Sequence, residues 1–225
     1  MPSIYIIALL VMLVSWLVQA GLNSRFEKYS KIRLPNGMTG KQVAEKMLRD
    51  NGIYDVRVES VRGKLTDHYN PATKTVNLSE PVYATNSVAA AAVAAHECGH
   101  AVQHAKAYHF LKMRSSLVPV VSVASRWVTW VLIAGILFLQ TFPALLLFGI
   151  GLFALTTLFS FITLPVEINA STRAVAWLNE AGITDYETHP KAKNALRWAA
   201  YTYVVAALGS LATLLYYIMI FMRRR

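Results

Sequence analysis

Charge is what this sequence has least of. Asp, Glu, Lys and Arg make up 15% of its 225 residues, against 55% hydrophobic. A soluble domain carries about 25% charged residues, so most of this chain cannot be covering itself against water. The same shortage excludes a disordered chain, and 11 glycines are far too few for collagen. Acidic residues are scarcer than basic ones, 12 Asp+Glu against 22 Lys+Arg, for a net charge of +10. In a soluble protein that excess would point to nucleic acid. Here long apolar runs turn it towards anionic lipid head groups, so the lipid bilayer is the expected partner and nucleic acid is not. A single cysteine, Cys98, excludes an internal disulfide framework.

What is present is a set of apolar runs. Residues 3–20 form an uncharged stretch long enough to span the hydrocarbon core. A signal peptide is the competing reading, but Met1-Pro2-Ser3 lacks the positive charge such a leader starts with, so a retained anchor is expected. Residues 115–166 carry one charge, Arg126. As a single helix they would reach roughly 78 Å, more than twice the bilayer core, so they must fold back. Gln140-Thr141-Phe142-Pro143 is the turn-like break, giving helices near 118–139 and 144–165. Residues 198–222 form the last run, before Arg223, Arg224 and Arg225. Arg126 is expected to face a cavity or partner, or to snorkel.

The organisation that follows has a transmembrane helix at 3–20, a small polar α+β region at 21–86 and a long helix at 87–116. A transmembrane hairpin follows at 117–166, then a polar helix and loop at 167–197, and a fourth transmembrane helix at 198–222. In the polar region Thr39-Gly40-Lys41-Gln42 is a capping box opening a short helix that Asn51-Gly52 stops. Residues 54–61 alternate with the period of a strand, and residues 74–79 read as a second. Asn86-Ser87 caps an Ala-rich helix expected to run to about Met113.

That helix carries His96-Glu97-Cys98-Gly99-His100, an H-E-x-x-H motif. Chance produces it in roughly 0.6% of shuffled chains of this composition, so it is read as functional. Spacing i, i+4 puts both imidazoles on one face, where they can share a Zn²⁺. Glu97 falls beside them as general base. A catalytic zinc needs a third protein ligand. His104 lies about 12 Å along the helix axis from His96, too far to share the ion. Glu167 is the better third ligand. It reads as the start of a helix at the membrane boundary, and two spans separate it from His100, so a hairpin returns it to the same side. Cys98 points away from the metal and is read as filler.

The ordered set HECGHAVQHA, NSVAAAAVAA, DHYNP…VNLSE and LPVEINASTRA, from about Tyr29 to Tyr217, resembles the membrane-bound neutral zinc metallopeptidases of the YugP type. The resemblance implies zinc on His96, His100 and Glu167 with Glu97 catalytic. A wider similarity to HtpX-like and prenyl-protein-processing proteases covers only H-E-x-x-H and the Glu-x-x-Ala helix. Ser171 stands where those enzymes commonly carry an aspartate. The fold class expected is mainly α, a zincin-like integral membrane protein with about four transmembrane helices and a small α+β insertion.

Three side chains are candidates to stabilise an oxyanion, His189, Tyr203 and Arg173. Asp67-His68-Tyr69 is a candidate wall of the cleft, and residues 76–79 a candidate edge strand for substrate. Basic residues after the first span (Arg25, Lys28, Lys31, Arg33) and before the second (Lys106, Lys112, Arg114) place the zinc site in the cytoplasm. The terminal arginines run against that assignment. The expected function is a zinc-dependent endopeptidase of membrane or membrane-adjacent polypeptides, its partners a peptide or protein substrate and the bilayer. The alternative is a zinc-binding membrane scaffold without hydrolytic activity. A zinc transporter would need ionisable ligands along its spans, and only Arg126 is there.

Overall fold

The computed structural model describes residues 4–223. The expectations for Ser3, at the head of the first apolar run, and for Arg224 and Arg225 lie outside those residues. The fold is mainly α, with seven helices and one three-stranded sheet among the described residues. Four helices are long and apolar enough to cross a membrane: α1 (Ile4–Ser30), α5 (His109–Leu137), α6 (Pro143–Glu180) and α7 (His189–Met222). They expose large side chains such as Leu9, Trp127, Trp130 and Phe148, which a lipid solvent accepts and water does not.

The hairpin turns where expected. Pro143 occupies the first turn of α6, where its missing N–H is no loss. Val128, Leu132, Leu146 and Ile150 pack between α5 and α6. Arg126 lies on an exposed face of α5. At the other end of the spans Gly21 leaves room for the Trp198 ring, which a Cβ there would meet at 2.1 Å. The Arg25 guanidinium stacks on that ring, 3.8 Å from its centroid.

Several helix limits differ from the sequence expectation: α1 runs on to Ser30, α5 begins at His109 and α7 at His189, and α4 and α6 differ as well. α6 does not start afresh at Glu167. It passes through Pro165 without a break and runs for 38 residues, about 57 Å, well beyond the bilayer core. Proline removes one backbone donor, but the residues that follow are braced, with Val166, Ala170 and Ala174 fully buried. The zinc-motif helix, α4 (Val88–Ala105), ends before Met113. The Ala107 N–H bonds the His104 carbonyl, the Tyr108 N–H bonds the Gln103 carbonyl, and Ala107 takes φ +52°. This is a Schellman stop with alanine where glycine is usual.

Between α1 and α4 lies the polar region. α2 (Gly40–Asp50) begins with the expected capping box of Thr39 and Gln42, and a left-handed Gly52 ends it. The sheet consists of β1 (Arg57–Val61), β2 (His68–Asn70) and β3 (Thr75–Ser79) in the order β1-β3-β2. β1 is parallel to β3, and β2 is antiparallel to it. β3 is therefore the central strand, buried at all five positions, and not the edge expected for residues 76–79. The two edges are β1, beside α2, and β2, beside α4. After β3 a short α3 (Glu80–Ala84) leads to Ser87, whose hydroxyl accepts from the Ala90 N–H and caps α4. Met47, Leu78, Val82, Val88 and Leu178 sit in one core cluster with the alanines of α4. α4 thus lies between the polar region and the emerging end of α6.

Candidate metal centre

Helical spacing puts the rings of His96 and His100 side by side on α4, with centroids 4.8 Å apart. α6 supplies Glu167 against them. Its Oε2 lies 3.3 Å from His96 Nε2 and 3.5 Å from His100 Nε2. The three donor atoms fall within 4.8 Å of one another. Glu167 is 3% exposed, and Oε2 is buried without a hydrogen-bond donor. A tetrahedral ion with bonds of about 2.0–2.1 Å holds its donors roughly 3.3–3.4 Å apart. The two Oε2–Nε2 separations have that spacing, and an orphaned buried carboxylate oxygen is what a cation would satisfy. The set fits Zn²⁺.

The outward nitrogens of both rings are engaged. Ser171 Oγ lies 3.1 Å from His96 Nδ1. His100 Nδ1 lies 3.0 Å from Gln103 Oε1. Gln103 Nε2 donates to the Val166 carbonyl at 2.8 Å and to Asn169 Oδ1 at 3.0 Å. That oxygen also accepts from Arg173 Nε at 2.7 Å. With its amide N–H groups spent, Gln103 can only accept from His100. Nδ1 therefore carries the proton, and the Nε2 lone pair faces Glu167. Burial disfavours a charged His100, yet the Glu167 and Glu97 carboxylates outweigh it and raise its pKa. The field at the site favours positive charge.

A cavity of about 590 Å³ opens over these groups, lined by Glu97, His96, His100, Glu167, Tyr203 and Arg114 among others. Asp67, His68 and Tyr69, expected as a cleft wall, do line it. Tyr69 Oη and His104 Nδ1 are 2.8 Å apart, so His104 serves the wall of the cavity away from the three donor atoms. Of the three side chains considered for the oxyanion, Tyr203 lines the cavity. His189 instead bonds Thr184 Oγ1 at 3.1 Å, and Arg173 is the far end of the chain that orients His100. Cys98 is buried with its thiol towards the Ala44 carbonyl, 3.5 Å away, and burial pushes that thiol's pKa well up.

Arg114, one of the basic residues flanking the second span, also reaches this site. Its Nη1 lies 3.5 Å from Glu167 Oε1, holding one carboxylate oxygen while the other faces the imidazoles. The only sequence signal was a basic side chain at the start of a span. Gln103, in H-A-V-Q-H, likewise carries no sequence signal of its role.

The profile of a protein family described as "Putative neutral zinc metallopeptidase" matches residues 4–222. The chain is 44% identical over 213 residues to a Bacillus subtilis (strain 168) protein called "Putative membrane protease YugP", a match covering 94% of this chain and 93% of that one. No solved structure matches the chain.

Proposed function

The chain belongs to the neutral zinc metallopeptidase family, and from that premise we propose a membrane-embedded zinc endopeptidase acting on membrane or membrane-adjacent polypeptides. His96, His100 and Glu167 are its zinc ligands and Glu97 its general base. The observation that carries this reading is the convergence of an unsatisfied, buried Glu167 Oε2 on two imidazole Nε2 atoms at 3.3 and 3.5 Å.

When bound, zinc supplies Lewis acidity, polarising a substrate carbonyl and acidifying a water. Glu97 takes the proton of the attacking water and passes it to the departing amine. Gln103 and Ser171 hold the imidazoles in the ligating orientation, and Arg114 holds the carboxylate. Tyr203 offers its hydroxyl to the oxyanion from the cavity wall. β2, the exposed edge beside the cavity, presents the backbone on which an extended substrate would pair. A site at the end of the spans suits chains that leave the bilayer there.

The test is zinc content of the detergent-purified chain beside Glu167→Ala. About one zinc per wild-type chain and loss in the variant is expected, because two histidines alone leave the ion under-coordinated. Equal zinc in both would remove Glu167 from the ligand set. No zinc in either, after incubation with the ion, would overturn the reading.

The site is proposed to face the cytoplasm. Among the described residues, every Lys and Arg except Arg126 and Arg223 falls on its side of the spans, the asymmetry that marks a cytoplasmic face. A cysteine placed at Lys64, in Cys98→Ala background, should resist a membrane-impermeant thiol reagent on intact cells, while one at Thr141 reacts. The reverse pattern would invert the topology.

A further inference from the structure

On the far side of Ser171 from the cavity, α6 and α7 enclose a second groove, of about 420 Å³. We propose that it binds an anionic phospholipid, with the headgroup phosphate on Lys193 and Arg197 and an acyl chain along the apolar wall. The groove is made of two helical stripes. Ile168, Ser171, Thr172 and Val175 come from α6, and Lys193 and Arg197, four residues apart on one face, come from α7.

Four features select this ligand. Lys193 and Arg197 are exposed and make no ion pair or hydrogen bond among the described residues. The groove lies at the right depth. Ser171 is five residues past the apolar run that ends at Val166, and Lys193 five before the run that begins at Trp198, about 7.5 Å in each case. That is the thickness of the headgroup layer beyond the hydrocarbon core. Its walls are otherwise apolar, and Ile168 is exposed there, 48%, as suits the glycerol and first methylenes of a lipid. The hydroxyls are already committed, Ser171 beside His96 and Thr172 donating to the Ile168 carbonyl, so the two cations carry the recognition. Charge therefore selects the lipid. Ser171 is shared with the candidate metal centre, so an occupied groove sits one side chain from His96.

The test titrates delipidated, full-length protein in neutral detergent with dioleoyl phosphatidylglycerol or dioleoyl phosphatidylcholine and counts bound lipid by native mass spectrometry. Retention of the anionic lipid is expected to exceed that of the zwitterionic one about tenfold. Lys193→Gln with Arg197→Gln should abolish the preference, and Lys193→Arg with Arg197→Lys should retain it, with a melting curve reporting that both are folded. Arg62→Gln with Lys64→Gln removes the same charge from an exposed loop and should leave the preference intact. A preference that survives the Lys193/Arg197 change, or falls equally in the loop control, overturns the site. Displacement of the lipid by millimolar inorganic phosphate would make it a free-phosphate site and overturn the assignment to lipid.

Discussion

Glu97→Gln is expected to keep about one zinc per chain and to lose peptide cleavage by a factor on the order of 10³, within the usual worth of a general base. The separation of the two effects follows from where Glu97 lies. It neighbours His96 in sequence, so it is turned about 100° around α4 from that ligand, and it is absent from the trio of converging donors. It does line the cavity above them, and its carboxylate makes no hydrogen bond or ion pair among the described residues. No hydrogen bond or ion pair of the fold depends on its charge. Glutamine keeps its shape and loses only the ability to accept a proton, so folding and metal retention should survive. The measurement pairs zinc content with turnover of a fluorogenic peptide library on the same preparation. Turnover equal to wild type would remove Glu97 from the chemistry. A wild type that holds zinc yet cleaves nothing would favour a scaffold over an enzyme.

The chemistry was more legible than the supports around it. His96, Glu97 and His100 are a local pattern, and a 3.6-residue repeat converts their spacing directly into a shared face. Glu167 required one further step, that an even number of spans returns the chain to the side it left. The helix limits failed for local reasons. Gly52 marks the end of α2 in sequence because glycine favours left-handed backbone, whereas α4 stops on Ala107 in the same conformation, with no residue to announce it. Glu167 gave the opposite error. As the first charge after the apolar run it looks like a helix start, but buried neighbours on the α4 side hold α6 through Pro165 and on past it. β2 was missed because three residues are too few to show alternation, and without it β3 looked like an edge. Gln103 and Arg114 were illegible for another reason. Each acts across 50 or more residues, on Val166 and Asn169 or on Glu167, and the partners come within reach only through the packing of α5 against α6, for Arg114, and of α4 against α6, for Gln103.

That packing depends on one glycine, and Gly99→Ala is expected to destabilise the protein by about 1–3 kcal/mol and weaken zinc binding tenfold or more. A Cβ at residue 99 would stand 2.7 Å from the Ala170 carbonyl oxygen and 3.1 Å from its Cα. Both are backbone atoms of α6, so no side chain can swing aside, and the two helices must separate. Ala170 is one helical turn beyond Glu167, and residue 99 adjoins His100. The displacement therefore falls on the Oε2–Nε2 distances of 3.3 and 3.5 Å. Gly151→Ala provides the comparison. It lies on α6 with no atom within 4 Å of its added Cβ, and should be neutral or gain up to about 1 kcal/mol of helix propensity. Thermal melts with chelator competition on both variants separate the outcomes. If Gly99→Ala melts and holds zinc like Gly151→Ala, the close crossing of α4 and α6 is not what sets Glu167 against the histidines. If it loses zinc while remaining folded, the absence of a single methyl group between His96 and His100 is as necessary to the centre as the ligands themselves.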